Sequence, residues 1–283
     1  MIPADFDYHR PKDLGGVIAL LQEHGDDARV LAGGHSLIPM MKLRMADVAY
    51  LIDMQDVAGL SGIEVGETIR IGAMVTQAEL IAHDGLAEAA PILREAALQI
   101  ADPQVRYMGT VGGNVANGDP GNDMPGLMQC LDATFHLTGP DGDRSVAARD
   151  FYEAAYMTAR EDDEVLTAVS FAAPKGGYAY EKQKRKIGDY ATAAAAVQIV
   201  KDGGSCAAVS IAMTNLSDTP VYSEAACAAL LNTAVHADAI KAAVAAMLND
   251  IDPVDDNRGP VAFKNHVAGV ILTRAIERAW SRA

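Results

Sequence analysis

Apolar positions along the chain change their period several times, and each change predicts an element. After turn residues at Pro11 to Asp13, Val17, Leu20 and Leu21 recur at helical spacing, so a helix is expected up to His24, ended by Gly25-Asp-Asp. Short apolar runs at 28–32, 50–54 and 68–72 read as strands. Helical spacing returns over 77–83 and 85–100, where Leu86, Ala89, Ala90, Leu93 and Ala97 share one stripe, and Asp102-Pro103 breaks it. A helix is expected over 124–131. Runs at 133–138 and 143–147 flank Gly139-Pro-Asp-Gly as a hairpin, and 165–171 is a strand. Pro174-Lys-Gly-Gly reads as a linker. Beyond it, 178–186 alternates as a strand, and 192–200 and 205–213 form a hairpin across Lys201-Asp-Gly-Gly. The chain closes with helices over about 223–231, 238–248 and 264–280.

Composition narrows the function classes. The 283 residues suffice for about two domains. Half are hydrophobic and only 5% aromatic, so alanine and valine supply much of the core bulk. A net charge of −15 argues against non-specific nucleic-acid binding and against docking on anionic membranes, both of which need clustered Lys and Arg. It does not exclude a phosphate ligand, because backbone dipoles bind phosphate without side-chain charge. Cys130, Cys206 and Cys227 lie far apart without C-x-x-C spacing, which excludes a sequence-evident zinc or iron–sulfur site. They read as buried thiols of a reducing compartment. No basic, apolar leader opens the chain and no apolar run has the length of a membrane span, so a cytoplasmic protein is expected. The acidic run Glu161-Asp-Asp-Glu164 reads as a solvated loop rather than a metal site, and no metal ligand is assigned.

Two glycine-rich stretches carry the candidate chemistry. The first, Ala32-Gly-Gly-His-Ser36, follows a short buried strand. The second, Thr110-Val-Gly-Gly-Asn-Val-Ala-Asn-Gly-Asp-Pro-Gly-Asn-Asp123, is flanked by apolar chain. Glycines permit positive φ and close approach to a ligand. Successive backbone N–H groups in such turns form a concave anion site. Val111, Val115 and Ala116 are interleaved with the second set, so that loop is expected to be partly buried and its backbone to need hydrogen-bonding partners. The expectation is that the two turns converge on one diphosphate. Neither matches G-x-G-x-x-G or the Walker A pattern.

With Ala32-Gly-Gly-His-Ser-Leu37, Thr110-Val-Gly-Gly-Asn114, Asn117-Gly-Asp-Pro-Gly-Asn-Asp123 and Tyr180-Glu-Lys-Gln-Lys-Arg-Lys-Ile-Gly-Asp-Tyr-Ala191 standing in this order, the chain resembles the FAD-binding medium subunits of molybdenum hydroxylases along its whole length. The likeness is nearest to the medium subunits of aerobic carbon monoxide dehydrogenases, and xanthine dehydrogenase flavin segments are more distant. The resemblance implies an α+β fold of the vanillyl-alcohol-oxidase (PCMH) type. Residues 1–176 would bind FAD through two α+β subdomains, about 1–56 and 57–176. Residues 177–283 would form a C-terminal flavoprotein domain with a three-stranded antiparallel sheet and a helical bundle.

The resemblance also implies site roles. Ala32, Gly33, Gly34, His35, Ser36 and Leu37 belong to the first phosphate-side loop, and Thr110, Gly112, Gly113 and Asn114 to the second. Asp123 is expected near the adenosine or ribitol portion, Leu166 at adenine or the chain beside the ring, and Lys182 and Tyr190 near the isoalloxazine. Lys184 is the alternative to Lys182, because alternate strand residues share a face. His35 is expected to pack and hydrogen-bond the cofactor rather than to catalyse; no catalytic residue is assigned. The implied function is electron transfer within a heterohexameric complex. A large subunit would hold the molybdenum cofactor and a small subunit the 2Fe-2S clusters, with FAD on this chain delivering electrons to a quinone, NAD or oxygen. The rivals are a stand-alone flavin reductase or oxidase of the same fold and a non-catalytic nucleotide-binding module.

Overall fold

The segments with strand periodicity assemble into three main sheets, and the computed structural model describes all 283 residues. Asp7–His9, Tyr50–Asp53 and Ala28–Leu31 pair in parallel in that spatial order. Parallel neighbours need crossover connections, and Leu14–His24 and Leu37–Lys42 supply them. The first of these helices starts where the Asp13 carboxylate accepts from the Gly16 N–H, and it buries Val17, Ile18 and Leu21. The second helix, Leu37–Lys42, has no counterpart among the elements the sequence pattern predicts.

A five-stranded antiparallel sheet follows, in the order Ile63–Glu64, Thr68–Gly72, Val165–Ala172, Thr134–Gly139, Gly142–Ala147. The hairpin at 139–142 forms as expected. Ile69, Ile71, Phe135, Leu137, Val169 and Phe171 share a core with the helices that cross the sheet. The expected single helix over 85–100 is two, Asp84–Ala89 and Pro91–Ala97. Pro91 has no N–H to donate and clashes with the preceding turn, so it opens a new helix at its first turn instead of continuing the old one.

The third sheet runs Gly177–Gln183, Ala193–Asp202, Ser205–Thr214 and a two-residue edge strand, Val221–Tyr222. Its alanine-rich strands are buried on both faces, and successive side chains point to opposite faces. Ala194, Ala196 and Ala212 join the core of the antiparallel sheet and the helix Asp123–Cys130. Ala193, Ala195, Val197 and Ile199 pack under the helices Glu224–Leu230, Ala237–Asp250 and Val261–Arg282. Small side chains let helices approach the sheet from both sides, which accounts for the low aromatic content. The sheet ends its first strand at Gln183, three residues before the end of the alternating pattern, so Lys184 is not held in register by a neighbour. No helix is long and apolar enough to cross a membrane.

Candidate functional site

A cavity of about 700 Å³ lies between the end of the strand Ala28–Leu31, the glycine-rich segment after Gly109, and the strand Gly177–Gln183. Ala32, Gly33, Gly34, His35, Ser36, Leu37, Thr110, Gly112, Gly113, Asn114, Asp123, Leu166, Lys182 and Tyr190 all line it; Lys184 does not. The two glycine-rich segments adjoin: a Cβ built on Gly113 would lie 3.5 Å from the Ala32 Cβ, and one built on Gly33 2.8 Å from the Gly109 Cα.

The two turns differ in what their backbones offer. At the first, the main-chain N–H groups of Gly33, Gly34, His35 and Ser36 donate to no protein acceptor, and all four residues lie outside any helix or strand. Gly34 has φ +73°, a left-handed conformation that bends the chain here and that glycine adopts without strain. The glycine at 33 is required for another reason. A Cβ there would sit 2.7 Å from the Met108 carbonyl carbon, 2.8 Å from the Gly109 Cα, and closer still to the Met108 oxygen. The expected positive φ therefore belongs to Gly34, and Gly33 and Gly113 have none.

The second turn is not an open loop. Thr110 caps a helix, Val111–Ala116, by accepting from the Gly113 N–H through Oγ1 at 2.9 Å. Val111 and Gly112 donate their N–H groups to the carbonyls of Val75 and Ala73, both at 2.8 Å. The Asn114 N–H donates to the Thr110 carbonyl at 3.1 Å. The buried backbone has found the partners it needs inside the protein. Gly112 is small because a Cβ would come within 2.5 Å of the Ala73 Cβ. The Asn114 side chain accepts from the Met124 N–H at 3.1 Å, which ties this helix to the start of the next.

Asp123 and Lys182, which line the same cavity, form a buried polar triad with Tyr180. Asp123 accepts from Lys182 Nζ at 2.8 Å through Oδ2 and from the Tyr180 hydroxyl at 2.5 Å through Oδ1. The Lys182 side chain is 1% exposed. Burial raises the Asp123 carboxyl above the usual carboxylate range, with Lys182 and Tyr180 pulling it back. Lys184 Nζ reaches the Gln99 carbonyl at 3.4 Å, and burial beside Lys182 lowers its ammonium. Tyr190 packs against Gly121 and stays partly exposed, with Arg258 5.6 Å from its ring centre. Strand alternation puts Leu166 in the antiparallel-sheet core and Val165 in the core of the parallel sheet, and the β-bulge between Leu166 and Ala168 lets Leu166 share its core with Val169. His35 is exposed and has no side-chain partner among the hydrogen bonds.

Sequence reasoning missed several lining residues. Glu164, last of the acidic run, receives two hydrogen bonds from Arg144, at 2.5 and 2.6 Å. These bonds hold its carboxyl below the usual glutamate range. A depressed folded pKa gives stability that is present above the ordinary glutamate value and lost as pH falls through that value toward the folded one. Glu164→Gln should therefore lower the denaturation midpoint at neutral pH, and the difference from wild type should vanish on acidification below the glutamate range; a difference constant with pH contradicts this assignment. Arg29 and Arg160 also line the cavity, each donating to main-chain carbonyls. Gln77 lines it with both side-chain polar atoms unbonded. None of these three carries a motif, so no local signal marked them.

Residues 4–174 match the family described as FAD binding domain in molybdopterin dehydrogenase, and 178–279 match the CO dehydrogenase flavoprotein C-terminal domain. The chain is 56% identical to the carbon monoxide dehydrogenase medium chain of Afipia carboxidovorans, over 100% of this chain and 99% of that one. It is 45% identical to the corresponding chain of Hydrogenophaga pseudoflava, over 100% and 99%. Among solved structures, a chain of reconstituted CO dehydrogenase from Oligotropha carboxidovorans superposes with a TM-score of 0.98 at 56% identity, covering both chains completely.

Proposed function

This chain belongs to the FAD-binding medium subunits of molybdenum hydroxylases, and from that premise we propose that it is the electron-transfer subunit of a carbon monoxide dehydrogenase-type complex. On this reading residues 1–176 hold the cofactor and 177–283 close over it. The partners are a large subunit with the molybdenum cofactor and a small subunit with 2Fe-2S clusters. The complex is cytoplasmic, and its external acceptor is a quinone, NAD or oxygen.

The observation that carries the reading is the run of four unpaired N–H groups, Gly33 to Ser36, at the mouth of a cavity of dinucleotide size. Such groups offset diphosphate charge without side-chain cations, in keeping with the acidic chain. The residues present fit FAD: Gly33, Gly34, His35, Ser36 and Leu37 for the diphosphate, Leu166 for an apolar contact, and Lys182 and Tyr190 for the ring. When bound, FAD supplies one- and two-electron redox chemistry that links the clusters to the acceptor. Lys182 contributes a buried cation that favours negative charge on a neighbouring ring, and Asp123 with Tyr180 holds that cation in place. Gly112 and Gly113 act by close packing, Gly112 seating the helix Val111–Ala116 on Ala73 and Gly113 setting it beside Ala32 at the first turn.

A stand-alone reductase would need its own acid and base for substrate. The two buried carboxylates that line the cavity are engaged, Asp123 by Lys182 and Tyr180 and Glu164 by Arg144. The deciding experiment purifies the complex, measures metal and flavin by subunit, and adds carbon monoxide anaerobically. The expected result is one FAD on this chain, iron and molybdenum only on its partners, and bleaching of the flavin by carbon monoxide. A chain that stays colourless and cannot be reconstituted with FAD overturns the reading. A flavin that stays oxidised in the complete complex with carbon monoxide overturns the substrate class.

A further inference from the structure

The residue in the cavity with the least satisfied chemistry is Gln77. It is 2% exposed, and neither its Nε2 nor its Oε1 has a hydrogen-bond partner in the protein. Buried side-chain amides are ordinarily bonded, because leaving them unpaired forfeits their hydration. The backbone around Gln77 is firmly held. Its N–H donates to the Gly109 carbonyl at 2.9 Å, and Thr76 before it forms a reciprocal capping box with Glu79 and bridges to Thr110. The helix start thus fixes the residue at the cavity wall with its amide uncommitted.

Its position also selects the ligand chemistry. Gly109, to which Gln77 is bonded, abuts Gly33, where the run of unpaired N–H groups begins. Phosphate oxygens only accept, so they would satisfy Nε2 and leave Oε1 bare. A cation would do the reverse. A hydroxyl both donates and accepts, and a pair of neighbouring hydroxyls satisfies both ends of a carboxamide. Deepening the FAD reading, on which it rests, we propose that the Gln77 carboxamide binds the hydroxyls of a sugar unit next to the diphosphate, ribityl or ribose, donating one hydrogen bond and accepting another.

The proposal predicts opposite effects on the empty and the loaded protein. Replacing an unbonded buried amide by an apolar group of similar size is neutral or stabilising when no ligand is present. Gln77→Leu in the full chain, stripped of flavin, should melt at or above the wild-type temperature, while its FAD dissociation constant rises roughly tenfold or more. Gln77→Met serves if the leucine variant misfolds. FMN and ADP titrations then locate the contact: a loss confined to FMN marks the ribityl chain, and a loss confined to ADP marks the ribose. Wild-type affinity for FAD and both fragments in a folded Gln77→Leu or Gln77→Met chain overturns the proposal. So does a drop in melting temperature of the empty chain with FAD affinity unchanged, which would mark a purely structural residue. Failure of the wild-type chain to bind FAD sinks the cofactor reading instead, so the two failures are distinguishable.

Discussion

Gly33→Val should strip the chain of flavin, from about one per chain to background. The reason is steric and lies in the backbone of a distant segment. The new Cβ would overlap the Met108 carbonyl and lie 2.8 Å from the Gly109 Cα, and no rotamer change relieves a clash with main chain. The first turn must move away from the glycine-rich segment, by an ångström or more, and overpacking of this kind typically costs about 1–3 kcal/mol. Displacing the turn disperses the N–H groups of Gly33 to Ser36, on which the proposed diphosphate site depends. Gly62→Ala is the matched control, since its Cβ meets nothing within 4 Å and its φ is not positive. Visible absorbance per chain after gel filtration measures the effect. A Gly33→Val chain with a full complement of flavin would falsify the placement of the diphosphate at this turn.

Lys182→Met should have the second largest effect, on stability as well as on electron transfer. The Lys182 side chain is 1% exposed and its ammonium is bonded to a carboxylate that is itself buried. Removing one partner of such a pair leaves an uncompensated charge and typically costs roughly 3–5 kcal/mol. Burial already raises the Asp123 carboxyl, and without Lys182 it rises further, so the folded variant takes up a proton that the unfolded chain releases. The folded form then binds more protons than the unfolded form between the ordinary aspartate value and the raised one. Stability therefore falls as pH increases through that window, and the defect shrinks in acid. Denaturant midpoints across the acid-to-neutral range test this. Lys182→Met combined with Asp123→Leu should recover much of the loss, because no charge is then stranded. If Lys182→Met is as stable as wild type at neutral pH, with unchanged rates of flavin reduction and reoxidation, the assignment passes to Lys184, which sits on the Gln99 carbonyl nearby.

The sequence located most elements because their signals are local. The strand at 28–32 and the helices near 124–131 and 264–280 show their period within a few residues and need no partner to reveal it. The two glycine pairs were likewise visible as composition, and so were the buried alanine strands after the linker. Misreadings arose where a local signal was overruled or overlooked. Pro91 divides the helix expected over 85–100, and the Thr110 side chain turns an expected loop into a helix start.

What the amino-acid order alone determined was the set of elements, the two glycine turns and the pool of residues from which a flavin site could be drawn. Only the folded arrangement decided how each member of that pool is used. It left the N–H groups of Gly33 to Ser36 free and satisfied those of Gly112 and Gly113 with Ala73 and Thr110. It gave Asp123 to Lys182 and Tyr180, and left Gln77 with none. The reason is that hydrogen-bond satisfaction and desolvation depend on which remote segment arrives at each polar atom, and local periodicity carries no record of that.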